Sequence, residues 1–170
     1  QGRRLDEDTL TAAKQHVCLL EQISVERIRS ELEKIIVAPY PAEAFRRMHE
    51  LGILEHIIPE MLPAVGFEQN RFHIHDVFEH TLAVIERSAP RLALRLTALF
   101  HDLGKPATLT IDEQGERHFY RHEQLSEKIC RARMRKLKFS NEQIRRVSSI
   151  VRHHMRPLEC GPAGLRRLMR

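Results

Sequence analysis

The chain has 170 residues, 42% of them hydrophobic and only 5% aromatic, and its formal net charge is +5. This length corresponds to one domain with or without an extension, and an aliphatic core without Trp favours packed helices. No stretch of about 18 or more apolar residues occurs, so no membrane-spanning segment is expected, and the first residues do not have the pattern of a signal peptide. The basic excess permits a nucleic-acid partner and is equally consistent with ordinary solvation. Three widely spaced cysteines, Cys18, Cys130 and Cys160, predict reduced packing thiols and a cytoplasmic location.

The first 58 residues are predicted to form helices whose limits are set by caps and helix breakers. The expected helices are one capped by Asp8 or Thr9 that runs to about Glu21, one from Ser24 to Pro39, and one from Ala42 to Leu51 that Gly52 ends. Residues 53–58 are predicted to be a short apolar turn, and Pro59, Pro63 and Gly66 indicate a loop. The shift in composition over residues 59–72 predicts a boundary between a helical region (1–58) and a compact domain (59–170).

The second part is predicted to be a helical bundle that carries one small β-hairpin. Apolar residues at helical spacing predict a helix after His75, and the strongly apolar helix Leu92–Asp102 is expected at the centre. Residues 107–111 and 117–120 flank a turn that contains Gly115 and predict the hairpin. Two further helices are expected, Glu123–Leu137 and one from Ser140 to about His154, the latter opened by a capping box of Ser140 with Gln143.

The pair His101-Asp102, at the end of the apolar helix, is the most informative feature of the sequence. Imidazole and carboxylate together suit a divalent transition metal such as Mn, Fe, Co, Ni or Zn. A carboxylate at a helix C-terminus opposes the helix dipole, so Asp102 requires a metal, Lys105 or an Arg as compensation. Further histidines lie on other predicted helices, and a bundle can bring them together. The predicted metal ligands are His80, His101, Asp102, His122, His153 and His154.

Each of these histidines also has an ordinary structural role open to it. His80 lies on an apolar helix face and could be a core histidine, and His122 could be an exposed cap. The pair His153-His154 could be a favourable cation at a helix C-terminus. His75, like His73, lies either in a plain loop or in a loop that contacts phosphate at the mouth of the site. The metal site is the favoured interpretation because eleven histidines in 170 residues are well above average usage, and six of them fall in four short clusters that a helical bundle could bring together.

A metal at this position would lower the pKa of a water molecule and so favour hydrolysis. Asp102 would hold the metal and orient the water, and Lys105 would neutralise phosphate oxygens unless it is a solvated surface lysine. No Ser or Cys nucleophile with a matching base accompanies the cluster. The sequence therefore predicts a hydrolase that acts on a phosphoester.

These motifs resemble the HD phosphohydrolase domain, and more narrowly the version attached to bacterial tRNA nucleotidyltransferases and poly(A) polymerases. The resemblance is carried by residues 76–82, 98–106 and 118–123, by the hairpin between the last two, and by residues 23–32, which resemble the neck helices of those enzymes. It implies a mainly α HD bundle with a hairpin insertion, preceded by neck helices. It also implies that His80, His101 and Asp102 are metal ligands, with His122 as the third histidine and His153 or His154 as the fourth.

The resemblance further implies a last Asp ligand in a later helix, but no Asp follows Asp112. The chain is therefore expected to be a piece that stops just before that position. The nucleotide-adding head of the family carries a Gly-Ser motif and paired Asp residues, which are missing here, so no nucleotide addition is expected. The resemblance implies RNA, above all tRNA, as partner and a phosphatase or 2′,3′-cyclic phosphodiesterase activity.

The sequence is also consistent with two other functions. One is a stand-alone HD phosphohydrolase that acts on a nucleotide. The other is a non-catalytic RNA-binding module with structural histidines and a phosphate-facing basic patch, in which binding would depend on salt but not on sequence. The same charges could equally be a solvated helix face. The predicted patch consists of Arg131, Arg133, Arg135, Lys136, Lys138, Arg145 and Arg146.

Overall fold

The computed structural model describes residues 6–68 and 76–156, which form a mainly helical protein with one two-stranded sheet. The elements in chain order are α1 (Glu7–Gln15), a 3₁₀-helix (Val17–Gln22), α2 (Val25–Val37), α3 (Pro41–Glu50), α4 (Ile53–Ile57), a 3₁₀-helix (Pro59–Ala64), α5 (Val77–Arg87), α6 (Leu92–Phe100), a 3₁₀-helix (Pro106–Thr108), β1 (Leu109–Ile111), β2 (Arg117–Phe119), α7 (His122–Lys136) and α8 (Asn141–His153). The predicted fold class is confirmed. No described helix has the length and apolar character that crossing a membrane requires.

The first helix differs from the prediction at both ends. Its cap is Asp6, whose carboxylate accepts a hydrogen bond from the Thr9 backbone N–H at 2.9 Å, and not Asp8 or Thr9. The α-helix ends before His16 and continues as a 3₁₀-helix, so the predicted continuous helix to Glu21 is wrong. Because α1 buries no residue, no packed face holds it in α-helical geometry over the full length.

Residues 53–57 and 59–64 form two short helical segments where the sequence predicted an apolar turn and a loop. Leu54 of α4, Ile58 between the two segments and Met61 of the 3₁₀-helix are all completely buried, so both segments pack into the core. Burial of these side chains outweighs the breaking tendency of Pro59, which occupies the first turn of the 3₁₀-helix, where its missing N–H costs little.

One hydrophobic core runs through the described residues. Leu32 of α2 and Phe45 of α3 belong to the same cluster as Leu96 and Phe100 of α6. α6 is central, since it contacts α2, α5, α7 and α8. The division of the chain at residue 58 stays a prediction, and the packing is continuous across it.

Arg95 is a buried cation that connects the N-terminal helices to α6. Only 4% of its surface is exposed. Its guanidinium donates to the carbonyl oxygens of Ile36 at 2.8 Å and Ala38 at 2.6 Å, at the end of α2, and to that of Ser88 at 3.2 Å. Its charge therefore complements the negative end of the α2 dipole and satisfies terminal carbonyls that α2 cannot satisfy itself.

We expect Arg95→Leu to lower the free energy of unfolding by about 2–4 kcal/mol, because buried carbonyls would lose a charged donor. Urea denaturation measures this loss. The control is Arg87→Leu, which removes an exposed arginine of α5 and should change stability by less than about 0.5 kcal/mol. Equal stability of the two variants would contradict the role assigned to Arg95.

The C-terminal half agrees closely with the predicted elements. β1 and β2 are antiparallel with Leu109 opposite Phe119, although the start of the predicted first strand is a 3₁₀-helix. The capping box of Ser140 with Gln143 opens α8 as predicted.

The two described cysteines differ in burial: Cys130 is buried and Cys18 is exposed. Cys130 is a buried packing thiol, and burial raises its pKa to about 12. Cys18 is free and exposed, so the prediction of a packing role is wrong there. Cys160 lies outside the described residues.

Candidate metal centre

The Asp102 carboxylate lies at the centre of a cluster of imidazoles, and only 2% of its surface is exposed. Its Oδ2 atom is 3.2 Å from His101 Nε2 and 3.4 Å from His80 Nε2. The same oxygen is 2.7 Å from Lys105 Nζ. One side of the carboxylate thus faces two histidines and a lysine.

The second carboxylate oxygen faces two more histidines, from α7 and the end of α8. Asp102 Oδ1 is 3.3 Å from His122 Nε2 and 3.5 Å from His154 Nε2. Asp102 therefore belongs to two groups of potential ligand atoms, one with His80 and His101 and one with His122 and His154.

Backbone carbonyls hold three of these rings in one orientation. The Nδ1 atom of His101 lies 2.8 Å from Ala98 O, that of His122 lies 2.8 Å from Phe119 O, and that of His154 lies 2.7 Å from Val151 O. A carbonyl oxygen only accepts, so each Nδ1 carries the proton and, in a neutral ring, Nε2 carries a lone pair. This anchoring is the usual arrangement of metal-binding histidines.

The chemistry of the converging atoms fits a divalent cation. His80 Nε2 lies 3.3 Å from His101 Nε2, and His122 Nε2 lies 3.3 Å from His154 Nε2. In neutral rings with protonated Nδ1 atoms, such nitrogens present lone pairs to each other and to the carboxylate. Nitrogen and carboxylate donors of this kind suit Mn, Fe, Co, Ni or Zn.

The pKa values of the cluster reflect its mutual interactions. Burial opposes ionisation of Asp102, but the hydrogen bonds that His101, His122 and His154 donate to it when their Nε2 atoms are protonated outweigh this effect and hold its pKa far below the usual range. Burial likewise lowers the pKa of His154, but the Asp102 carboxylate raises it further, so the net shift is upward. Asp102 is consequently a carboxylate anion, suited to bind a cation and unsuited to act as a base.

The fold brings these side chains together from four parts of the chain, namely α5, the turn after α6, the start of α7 and the end of α8. α6 ends at Phe100, so His101 and Asp102 lie in the turn that follows. Gly104 then passes so close to α7 that a Cβ there would lie 2.5 Å from the His122 carbonyl oxygen. The Gly104 N–H also donates to the Ser126 hydroxyl at 2.9 Å. The sequence identified Gly104 only as a helix breaker, and its close approach to α7 was missed.

The predicted site residues separate into members and non-members of the cluster. His80, His101, Asp102, His122 and His154 come together, whereas His153 points its Nδ1 to Ser149 O at 2.9 Å and is not part of the cluster. The phase of α8 explains this difference. Val147 and Val151 are buried, and His154 continues their face, which the sequence pattern could have shown. His75 lies outside the described residues.

Two of the ordinary roles that the sequence also allowed, a solvated surface lysine at Lys105 and an exposed cap at His122, are wrong. Lys105 is not a solvated surface lysine, because its side chain is only 12% exposed and is paired with Asp102. His122 is not an exposed cap, because it is buried as the first residue of α7.

The basic patch is smaller than predicted. Arg133 is buried and forms a two-pronged ion pair with Glu60, with contacts of 2.7 and 2.8 Å. Arg131 pairs with Glu127 at 2.9 Å, and Lys138 pairs with Glu26 at 2.6 Å. The remaining four cations are exposed and have no ion pair within residues 6–68 and 76–156; they are Arg135, Lys136, Arg145 and Arg146.

A cavity of about 450 Å³ opens onto the cluster of potential metal ligands, His80, His101, Asp102, His122 and His154, which we call the metal cluster. One wall is the second strand of the hairpin and the residue after it, which contribute Arg117, His118, Phe119 and Tyr120. The prediction from sequence did not assign these four residues to the site, because the hairpin pattern indicates only local pairing and not what the strands lie against.

We expect His154→Ala and His153→Ala to differ in metal binding, although the residues are neighbours. His154→Ala should weaken Co²⁺ binding by at least about tenfold, a loss that even partners of a metal ligand can produce. His153→Ala, the matched control, should bind Co²⁺ like the wild type. A Co²⁺ titration followed by visible absorption makes the comparison. Equal losses of Co²⁺ affinity in the two variants would contradict the placement of His154 inside the cluster and of His153 outside it.

Comparison with known proteins gives two family matches in series. Residues 77–166 match the HD domain family, and residues 3–65 match the family described as "Probable RNA and SrmB- binding site of polymerase A". The HD match covers more than half of the chain.

The relatives include proteins of tRNA end addition. The CC-adding tRNA nucleotidyltransferase of Thermus thermophilus is 36% identical over 84% of this chain and 34% of its own length. The A-adding tRNA nucleotidyltransferase of Deinococcus radiodurans is 31% identical over 85% of this chain and 35% of its own length. The multifunctional CCA protein of Cupriavidus metallidurans is 31% identical over 85% of this chain and 36% of its own length. The chain thus spans about a third of the relatives that it matches. It belongs to the HD domain family, and its succession of the two matched families resembles the tRNA nucleotidyltransferases and poly(A) polymerases.

Proposed function

We propose that this chain is the C-terminal part of a cytoplasmic tRNA nucleotidyltransferase-like or poly(A) polymerase-like RNA-processing protein, and that its HD domain is a metal-dependent phosphohydrolase. The observation that supports the hydrolase most strongly is the convergence of imidazole Nε2 atoms on the buried Asp102 carboxylate, three of them with Nδ1 anchored on carbonyl oxygens. The match of residues 3–65 favours this assignment over a stand-alone HD nucleotide phosphohydrolase.

The residues that would hold the metal are His80, His101, Asp102, His122 and His154. When bound, a divalent metal lowers the pKa of a water molecule and supplies a nucleophile near neutral pH. Asp102 would orient that water through its carboxylate and would not take up its proton, because its pKa lies far below the working range.

Lys105 is placed to bind the phosphate. Its ammonium group lies 2.7 Å from Asp102 Oδ2 and lines the same cavity as the histidines. A positive charge there can neutralise a phosphate oxygen as the phosphorus–oxygen bond to the leaving group breaks. No Ser or Cys lines the cavity within the described residues, which supports attack by water and not by a side-chain nucleophile.

The substrate class that we propose is a phosphoester at an RNA end, either a 2′,3′-cyclic phosphate or a phosphate monoester. Water would add to the phosphorus of a cyclic phosphate, one ring phosphorus–oxygen bond would break, and the released ribose oxygen would take up a proton. Such a reaction converts a damaged RNA end into one that can be processed further.

Hydrolysis of adenosine 2′,3′-cyclic phosphate and of adenosine 3′-monophosphate tests this proposal. The protein is treated with a chelator and then supplied singly with Mn, Fe, Co, Ni or Zn. We expect chelation to remove the activity and at least one metal to restore it, with His153→Ala behaving like the wild type. Activity that survives chelation, or no activity with any metal on either substrate, would contradict the proposal.

A second candidate, RNA binding by the basic patch, is favoured by the four exposed cations near one end of the α7–α8 pair. Cations that bind phosphates release counterions, so the affinity for tRNA should fall steeply as the salt concentration rises. Removal of one such cation should reduce the slope of log affinity against log salt concentration by about 1. Arg135→Gln with Arg145→Gln should therefore reduce the slope by about 2, and the exposed Arg87→Gln should leave it unchanged. Absence of tRNA binding at low salt would remove this candidate.

A further inference from the structure

Two aromatic rings stack in the wall of the cavity that contains the metal cluster. The His118 and Tyr120 ring centroids are 5.2 Å apart, and the ring planes differ by 13°. The two residues are separated by one position, so they lie on the same side of the extended chain. Tyr120 is nevertheless 67% exposed. With one face against His118, the ring offers most of its remaining surface to solvent and to the cavity.

The position of the stacked pair is fixed by the hairpin turn. His118 Nε2 lies 2.6 Å from Asp112 Oδ2. The other oxygen of Asp112 accepts hydrogen bonds from the backbone N–H groups of Gln114 at 3.0 Å and Glu116 at 2.8 Å. The His118 hydrogen bond also lowers the pKa of Asp112, so the carboxylate stays ionised. The ring that supports Tyr120 is therefore held in place before any ligand arrives.

The backbone connects this pair closely to the metal cluster. Arg121 alone separates Tyr120 from His122, and it adopts a left-handed conformation with φ 61°. Few non-glycine residues adopt this conformation, and it turns the chain sharply from the hairpin into α7. As a result Tyr120 is exposed and His122 is buried against Asp102, while both line one cavity.

The size and contents of the cavity suit a nucleotide. Its volume of about 450 Å³ falls within the usual range of ligand pockets. Asp102, Lys105 and the histidines form its inner part and would bind the phosphoester. An aromatic face such as Tyr120 is the kind of surface on which proteins stack the bases of single-stranded nucleic acid.

We propose that His118 and Tyr120 form a stacking platform for the nucleobase adjacent to the phosphoester, an inference that rests on the proposed hydrolase function. The substrate class is thereby narrowed to phosphoesters that carry a nucleoside, and simple sugar phosphates are poor substrates. Stacking does not recognise the hydrogen-bonding edges of a base, so the platform accepts all four bases.

The test compares adenosine 2′,3′-cyclic phosphate with 1-O-methylribose 2′,3′-cyclic phosphate, which has the same reacting group and no base. We expect the wild type to prefer the nucleoside by about 10- to 100-fold in kcat/KM, the contribution typical of one stacked base. Tyr120→Ala should reduce this preference towards unity, and Tyr120→Phe should retain it because the ring remains. Ile111→Ala, an exposed change on the opposite strand, should also retain it. A preference that survives Tyr120→Ala, or equal losses on both substrates, would overturn the platform.

A binding measurement separates failure of the platform from failure of the hydrolase. If the wild type hydrolyses neither compound, the proposed activity is wrong, but calorimetry with adenosine 3′-monophosphate and ribose 5-phosphate still tests the platform. We then expect the nucleotide to bind about 10- to 100-fold more tightly, with the difference reduced in Tyr120→Ala. Equal affinity of the wild type for the two compounds would overturn the inference.

Discussion

Replacement of Asp102 by Asn should lower the rate of metal-dependent hydrolysis of 2′,3′-cyclic nucleotides by at least about 10³-fold. The reason is that a bound metal stabilises the transition state by several kcal/mol, and this stabilisation would be lost with the metal. Asp102 is the only carboxylate among the described ligand atoms, and both of its oxygens face histidines. Asn has the same shape but lacks the negative charge, so the cluster would lose both its anion and half of its acceptor capacity. Steady-state rates with the restoring metal in excess measure the effect.

The control for this prediction is a charge change outside the cluster. Glu60→Gln weakens the buried ion pair with Arg133 but does not touch the metal ligands, so its hydrolysis rate should stay within about tenfold of the wild type. Circular dichroism should show that Asp102→Asn is folded. A folded Asp102→Asn protein with near wild-type activity would mean that the hydrolysis takes place at another site of the protein.

Gly104→Ala should lower the free energy of unfolding by about 2–4 kcal/mol, since it combines overpacking with the loss of a buried hydrogen bond. The added methyl group would lie 2.5 Å from the His122 carbonyl oxygen and 2.9 Å from the Ser126 backbone nitrogen. Both are backbone atoms of α7, so the helix itself would have to move. Because His122 starts α7, we expect weaker metal binding as well.

Gly52→Ala is the matched comparison for Gly104→Ala. Gly52 has a positive φ of 74° and no atom within 4 Å of an added Cβ, so its cost is conformational and about 1 kcal/mol. Thermal or urea unfolding of both variants separates crowding from conformational strain. A Gly104→Ala protein as stable as the Gly52→Ala protein would contradict the close approach of this turn to α7.

The helices that the sequence predicted well are those with an apolar face and clear caps. α3 begins at Pro41 and ends before Gly52, and α8 begins after the Ser140 capping box, as local chemistry requires. The helical segment Pro59–Ala64 was missed because proline is a strong local signal for a loop. Its helical form depends on burial of Met61 in a core that distant residues build.

The convergence of His80, His101, Asp102, His122 and His154 was largely predictable, because neighbouring His and Asp residues require compensation that only a few arrangements provide. Helix phase explains why His154 and not His153 joins the cluster, and it also explains why Arg133 is buried. Ser126, Cys130 and Arg133 are buried at spacings of four and three residues, a pattern visible in the sequence.

The roles of Arg95 and Gly104 could not be predicted in the same way. Arg95 finds its acceptors in Ile36 and Ala38, nearly sixty positions away. Gly104 is required by the approach of two backbone segments that come together only in the folded protein. The stacking of His118 on Tyr120 is a local contact, but its place in the wall of the metal cavity depends on the long-range fold.

Metal content per chain, measured by mass spectrometry on wild type and Asp102→Ala purified side by side, tests whether Asp102 and the surrounding histidines hold a metal. We expect near-stoichiometric transition metal in the wild type and little in the variant. A wild-type protein that stays free of metal after loading with each of Mn, Fe, Co, Ni and Zn, or a variant that retains the full amount, would contradict this expectation.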